Sequence, residues 1–338
     1  MSIVLPILLI AGALLWIFGP REEVDLTVSI DEDAIRADPV AYLAESEAAF
    51  DDIRDGLGKE IVYAFPNSRA KTPLAIVYAH GFSASRNEIS PVADDVAKRL
   101  GANLYYMRLA GHGRGGAAMG EPSVNDWVND MAEALVVAEE LGERTVVIGT
   151  STGASLAALA ASEPGLRERI DAVVQVSPNY ALADKRAIVL DAPFAERIVG
   201  LIEGEERSFE PVNALHAANW TSRYPSRAVV TMAALTRELR GRTFEAIGVP
   251  TLFLFDEGDR VVDHEATRRI AGRWGKATGA KVNIELVAGT DDPYRHVVAG
   301  DSLSPSTSGF VSDTIVHWIE ELPGFPPVNE IASAVTAQ

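Results

Sequence analysis

Apolar and polar positions follow two rhythms along most of the chain. Seven runs are almost wholly apolar and of strand length: 60–65, 74–80, 103–109, 145–149, 172–177, 250–255 and 282–287. Between several of them, apolar residues recur at helical spacing: 89–100, 123–141, 152–161 and 265–276. Near-continuous apolar strands separated by helices are typical of a mostly parallel sheet covered on both faces. We therefore predict an α/β fold with a mostly parallel, doubly wound sheet.

The residues before the first strand depart from this rhythm. Residues 3–18 carry no charge and are mostly apolar, and Gly19 and Pro20 close the run. A helix of this length spans roughly 24 Å, which is workable for a bilayer core of about 30 Å only with local thinning. We predict a membrane anchor over 1–20, on an undetermined side of the membrane. A cleaved signal peptide, with export, and a buried core helix are the alternatives.

The rest of the chain divides into three further parts. Residues 21–59 form an acidic lead-in with a predicted helix over 39–57. The α/β domain is predicted over 60–322, and a tail over 323–338 follows it. Within the domain, residues 181–245 offer helical stretches and no convincing strand, which indicates an insertion into the connectivity of the sheet.

Composition narrows the partners and the chemistry. Among 338 residues, 48 are acidic and 30 basic, giving a formal charge of -18, and no run is rich in Lys or Arg. We therefore expect no nucleic-acid partner. The absence of cysteine excludes disulfides, thiolate metal sites and cysteine nucleophiles.

The segment 145–159, TVVIGTSTGASLAAL, passes from a strand pattern directly into an alanine-rich helix. Ser151 stands at the junction, and ligands of parallel sheets bind at the carboxyl ends of strands. Gly149 and Gly153 flank it where a side chain would crowd a sharp strand-to-helix turn. A serine that merely caps the helix is the alternative, but this placement favours a nucleophile.

A serine nucleophile needs a histidine base and an acid that orients the imidazole. Of six histidines, only His296 closely follows the last predicted strand, so we predict it as the base. His80 and His112 precede glycines and are interpreted as loop or surface residues. The other three lie in the insertion or in helical segments: His216, His264 and His317.

The predicted acid lies in the turn after the strand 250–255. Asp259 follows Gly258 and precedes two valines, which favours an oriented, partly buried carboxylate. Asp256 is the main competitor, and a turn-capping aspartate is the bland interpretation.

Acyl transfer also needs hydrogen-bond donors for the developing oxyanion. We predict the backbone N–H of Thr152, directly after the serine, as one donor. The second is the N–H of Phe82, in the loop HGFSAS that follows the strand 74–80.

In these motifs the chain resembles the α/β-hydrolase superfamily, over roughly 60–322. The matching residues are His80-Gly81-Phe82, the Gly-x-Ser-x-Gly elbow around Ser151, and then Asp259 and His296 in the order Ser, Asp, His. The His-Gly-Phe form is similar to that of small carboxylesterases and monoacylglycerol-lipase-like enzymes. In that family the insertion forms a helical lid.

The resemblance implies a serine esterase or lipase that works through an acyl-enzyme, with no metal or organic cofactor. The expected partner is a small ester or a lipid-like substrate, and the membrane is expected through the N-terminal segment. Substrate-binding residues and oligomeric state stay unassigned. A serine peptidase or amidase, an acyltransferase and a non-catalytic membrane-tethered scaffold are the alternative functions.

Overall fold

A computed structural model describes residues 4–325 of the chain. Its strands are β1 Glu60–Val62, β2 Ala75–Ala79, β3 Asn103–Tyr106, β4 Thr145–Thr150, β5 Ala172–Val176, β6 Glu206–Ser208, β7 Arg223–Pro225, β8 Thr251–Phe255 and β9 Val282–Leu286. Its α-helices are α1 Val4–Phe18, α2 Glu32–Ala37, α3 Pro39–Ala48, α4 Val92–Leu100, α5 Val124–Leu141, α6 Thr152–Ser162, α7 Pro164–Arg167, α8 Ala195–Glu203, α9 Ala214–Asn219, α10 Ala228–Arg240, α11 His264–Ala271 and α12 Ser308–Glu320. Of the predicted tail, residues 326–338 lie outside the described part.

The main sheet has seven strands in the order β1-β3-β2-β4-β5-β8-β9. Strand β1 is antiparallel to β3, and every other neighbouring pair is parallel. Successive residues of β2 enter opposite apolar clusters: Ala75 and Val77 belong to one and Ile76 and Tyr78 to the other. Both faces of the sheet are therefore buried, as the uninterrupted apolar runs require. The predicted fold class is confirmed.

The insertion between β5 and β8 is mostly helical but not without strands. It carries α8, α9 and α10, together with the antiparallel pair β6 and β7. Each strand of this pair has three residues, mostly polar or exposed, so no apolar run announces it in the sequence. The prediction of an insertion without strands is wrong in this respect.

The lead-in packs against the α/β body through buried ion pairs. Glu47 of α3 pairs with Arg108 at 2.7 Å, and Lys59 pairs with Glu133 of α5 at 2.6 Å. The predicted helix over 39–57 ends earlier, at Ala48. Its N-terminus is capped by the Asp38 carboxylate, which accepts from the N–H of Ala41.

The predicted membrane anchor is wrong. Helix α1 has 15 residues, which correspond to about 22 Å, well below the ~30 Å of a hydrocarbon core. Among the residues that the structure describes, no helix combines the length and the apolar character needed to cross a membrane. The chain after α1 instead joins the insertion, since the N–H of Phe194 donates to the Pro20 carbonyl at 2.9 Å.

Candidate active site

Ser151 occupies a sharp turn between β4 and α6. Its backbone angles are φ 50° and ψ -113°, outside the regions that side chains normally favour, and such a conformation costs about 1–3 kcal/mol. The Ser151 N–H donates to the Val176 carbonyl at 2.9 Å and ties the turn to β5. A Cβ atom on Gly149 would lie 2.7 Å from the backbone of Ala154. Strand β4 can thus run directly into helix α6 because Gly149 and Gly153, on either side of Ser151, have no side chain.

Replacing Gly153 by alanine is expected to destabilise the protein by at least about 1–3 kcal/mol, because the new Cβ would overlap the backbone carbonyl of Ala79. Gly200 in α8 is the control, since a Cβ there meets nothing within 4 Å. Gly200→Ala is expected to raise stability by about 0.5–1 kcal/mol through helix propensity. Thermal or urea unfolding of both variants measures the difference, and equal stabilities would contradict the steric account.

Ser151, His296 and Asp259 form one hydrogen-bonded chain. The Nε2 atom of His296 lies 3.0 Å from the Ser151 Oγ, and its Nδ1 lies 2.8 Å from the Asp259 Oδ2. The second carboxylate oxygen of Asp259 accepts the N–H groups of Val261 and Val262 at 2.8 and 3.0 Å. Ser151, His296 and Asp259 are all buried. The turn after β8 therefore holds Asp259 with one oxygen directed at the imidazole.

Asp256 is engaged elsewhere. Its carboxylate pairs with Arg295 at 2.6 Å and accepts from the Thr290 hydroxyl at 3.1 Å. The Gly258 N–H donates to the same side chain at 2.7 Å. Of the two candidate acids, the structure brings Asp259 to the imidazole and gives Asp256 a role in holding the loop before His296.

The backbone of His296 is held by a second carboxylate. Asp292 accepts the N–H groups of His296 and Val297 at 2.8 and 2.9 Å. Burial lowers the pKa of His296, but the nearby carboxylates of Asp259, Glu88 and Asp292 oppose this, and the net pKa is raised above its ordinary 6.5. The site thus stabilises the protonated imidazole, which favours proton uptake from a hydroxyl.

Thr152 directly follows Ser151, and Phe82 directly follows Gly81, at which a Cβ atom would lie 3.1 Å from the Ser151 Cβ. Among the turn and loop hydrogen bonds of residues 4–325, neither the Phe82 N–H nor the Thr152 N–H donates to a backbone carbonyl. Thr152 opens helix α6, whose dipole adds positive potential at this end. The carbonyl of Gly81 accepts from His80 Nδ1 at 2.9 Å. Since the C=O and N–H of a trans peptide point in opposite directions, this bond fixes the direction of the Phe82 N–H.

His80 and His112 lie in loops, as interpreted, but both are buried and neither is a surface residue. The Leu109 N–H donates to His80 Nε2 at 3.2 Å, which leaves the proton on Nδ1 for the Gly81 carbonyl. Burial lowers the pKa of His80 to about 4, so this ring stays neutral. The His112 ring lies 5.1 Å from that of His80 and 5.7 Å from that of Phe82.

Sequence reasoning missed Glu88, a fully buried carboxyl group behind the loop that carries Phe82. It accepts from the Gly81 N–H at 2.6 Å and from the Tyr78 hydroxyl at 3.2 Å. Burial raises its pKa to about 7, against the lowering effects of the Gly81 N–H and of His296. The only sequence signal for it is a glutamate between a buried strand and an apolar helix face.

The insertion rests on this loop. The Thr221 N–H donates to the Ser83 carbonyl at 2.7 Å, and Tyr224 packs edge-to-face on Phe82 with ring centres 5.4 Å apart. Arg54 of the lead-in donates to the carbonyls of Ala218 and Trp220, both at 3.2 Å. The insertion therefore contacts both the lead-in and the loop that carries Phe82. Within the described residues, no group of three or more His, Asp or Glu is arranged as a metal site.

A mostly parallel sheet with a serine at the turn from β4 into α6 defines the α/β-hydrolase fold. The chain matches the model of the family described as Serine aminopeptidase, S33 (Hydrolase_4), over residues 70–287. Because this match spans more than half of the chain, the protein belongs to that family of α/β-hydrolases. No curated protein sequence matches the chain.

Solved structures share the fold at low identity. The structure reported for LipS and LipT, two metagenome-derived lipolytic enzymes, superimposes with a TM-score of 0.60 at 18% identity, covering 80% of this chain and all of the other. A monoglyceride lipase from Saccharomyces cerevisiae gives 0.57 at 12% identity, covering 77% of this chain and 90% of that chain. The monoacylglycerol lipase of Paleococcus ferrophilus gives 0.54 at 18% identity, covering 77% and 96%.

Proposed function

We propose that the protein hydrolyses carboxylic esters, with Ser151 as nucleophile, His296 as base and Asp259 as the acid that orients it. The observation that carries the proposal is the pair of contacts at 3.0 and 2.8 Å that links the three side chains. Two of the similar structures are monoacylglycerol or monoglyceride lipases, which supports lipid-derived esters as the substrate class.

The first half of the reaction forms an acyl-enzyme. His296 Nε2 takes the proton of the Ser151 hydroxyl as Oγ attacks the ester carbonyl carbon. The carbonyl oxygen becomes an oxyanion, and the N–H groups of Phe82 and Thr152 stabilise it. The protonated imidazole then gives its proton to the leaving alcohol oxygen as the carbon–oxygen bond breaks.

The second half releases the acid. Water enters, His296 removes one of its protons, and the hydroxide oxygen attacks the acyl carbon. The tetrahedral intermediate collapses, Ser151 leaves with the proton returned by the imidazole, and the carboxylic acid departs. Asp259 keeps the proton of the imidazole on Nδ1, so that Nε2 faces the serine in both halves.

Fluorophosphonate labelling tests the assignment directly. A fluorophosphonate probe reacts with activated serines, so we expect one labelled tryptic peptide, 145–167, with the adduct on Ser151. Intact-mass analysis and peptide mapping measure this. Stoichiometric labelling of another serine, or no labelling of folded protein, would contradict the proposal.

Amide hydrolysis is the second candidate, because the matching family carries the description serine aminopeptidase. Esters and amides differ in the basicity of the leaving group, and the same side chains serve both. Parallel assays with p-nitrophenyl acetate, octanoate and palmitate and with amino-acid p-nitroanilides separate the two. We expect turnover of esters; faster turnover of anilides would favour the peptidase.

The pH dependence follows from the raised pKa of His296. The imidazole must be neutral to accept the serine proton, so the rate falls when the pH drops through its pKa. Since Asp259, Glu88 and Asp292 raise that pKa, we expect the acid limb of kcat/KM to have its midpoint above 6.5. Assays with an uncharged ester, with folding checked at each pH, measure the midpoint, and a value below 6.5 would contradict the expectation.

A further inference from the structure

Glu88 holds the glycine that precedes the proposed oxyanion donor. Its Oε2 accepts the Gly81 N–H at 2.6 Å. A Cβ atom on Gly81 would lie 2.7 Å from the other Glu88 oxygen and 3.1 Å from the Ser151 Cβ. Gly81 is therefore enclosed between the buried carboxyl group and the proposed nucleophile, and a side chain at this position would have to displace the Glu88 carboxyl group.

A second contact of Glu88 leads to the other side of the site. The Tyr78 hydroxyl donates to Glu88 at 3.2 Å and lies 3.2 Å from the Thr150 Oγ1. Thr150 is the last residue of β4, directly before Ser151. One carboxyl group thus connects the loop of Phe82 to the turn that carries Ser151 and Thr152.

The peptides on both sides of Gly81 are fixed by this arrangement. Glu88 holds the N–H of Gly81, and His80 holds its carbonyl at 2.9 Å. With both groups held, the chain cannot rotate about Gly81 without breaking a buried hydrogen bond. The Phe82 N–H, which belongs to the second of these peptides, is thereby aimed in one direction.

Stability alone does not account for a carboxyl group at this position. Glu88 has no lysine or arginine partner within the described residues, whereas the comparably buried Glu133 pairs with Lys59 at 2.6 Å. A buried carboxyl group without a cation is unfavourable for folding. Its partners are the Gly81 N–H and the Tyr78 hydroxyl, both of which lead to the proposed oxyanion site.

We propose that Glu88 is a positioning residue that, through Gly81 and Tyr78, fixes the Phe82 N–H relative to Ser151 for oxyanion stabilisation. This inference rests on the proposed ester hydrolysis. It predicts a loss in the chemical step rather than in substrate binding, because the oxyanion exists only after the attack.

The variants Glu88→Ala, Glu88→Gln and Glu133→Ala test it. Loss of an oxyanion donor costs about 100- to 1000-fold in kcat, so a misaimed donor in Glu88→Ala is expected to cost about 10- to 100-fold with KM nearly unchanged. Glu88→Gln keeps an oxygen acceptor for the Gly81 N–H and is expected to restore kcat to within about 3-fold of the native protein. Glu133→Ala removes a buried carboxyl group away from the loop, so its kcat per folded molecule should stay within about 2-fold of the native value.

Each rate is divided by the folded fraction measured by circular dichroism. It is also divided by the concentration of reactive sites, measured as the amount of fluorophosphonate that stops turnover. A folded Glu88→Ala variant with native kcat would overturn the inference, and so would a Glu88→Gln variant as slow as the alanine variant. Ser151→Ala is assayed alongside. If the native protein shows no turnover that depends on Ser151, the proposed function fails; if it does and Glu88→Ala is unimpaired, only the inference on Glu88 fails.

Discussion

Ser151→Ala is expected to lower kcat for ester hydrolysis by roughly 10⁴- to 10⁶-fold and to abolish fluorophosphonate labelling. In the proposed mechanism the Oγ atom forms the bond to the acyl group, and neither His296 nor the backbone donors can replace it. The site otherwise keeps its geometry, because alanine tolerates the same packing and the Ser151 N–H still reaches the Val176 carbonyl. Initial rates with p-nitrophenyl octanoate at high enzyme concentration measure the loss.

Ser162→Ala is the matched control for this experiment. Ser162 ends the same helix, α6, and its hydroxyl donates to the Leu159 carbonyl at 2.7 Å. We expect native rates from it. A Ser151→Ala variant that is folded and hydrolyses the ester as fast as this control would remove Ser151 from the mechanism.

Asp259→Asn is expected to lower kcat by about 10³- to 10⁴-fold, because an amide at this position no longer favours the imidazole tautomer with its proton on Nδ1. The substitution keeps the shape of the side chain, and its Oδ1 still accepts the N–H groups of Val261 and Val262. The fold is therefore expected to persist, and kcat falls while KM changes little. Steady-state kinetics together with thermal unfolding measure both.

Asp256→Asn provides the comparison, since Asp256 is equally buried in the same turn but pairs with Arg295. We expect it to lower stability and to change kcat by less than about 10-fold, because its partner is not the imidazole. Reversed effects in the two variants would assign the acid to Asp256.

Most of the sheet could be predicted from the sequence because five of its seven strands, β2, β3, β4, β5 and β8, are buried at every residue. Runs such as 145–149 and 172–177 have no polar alternation to confuse them with surface strands. Ser151, Asp259 and His296 could be located for a related reason: each follows a recognisable strand, and the carboxyl ends of parallel strands lie at one edge.

The remaining features could not be read from hydrophobicity. Glu88, His80 and His112 are polar residue types, so the hydrophobic pattern carries no signal that the fold buries them. Strands β6 and β7 are too short and too exposed to leave a pattern. The segment 3–18 has the composition of an anchor, and helix length decides against it.

The contacts of Arg54 determine how much of the lead-in a truncated variant must keep. Its guanidinium group donates to the carbonyls of Ala218 and Trp220. Trp220 directly precedes Thr221, whose N–H donates to the Ser83 carbonyl. A variant that begins at β1 would keep every proposed reacting group. It would lose the hydrogen bonds by which Arg54 holds the insertion next to the loop of Phe82. If truncation boundaries are chosen by sheet topology alone, we therefore expect the proposed activity to fall because the Arg54 contacts are missing. Such a loss would not show that the proposed reacting groups are wrong.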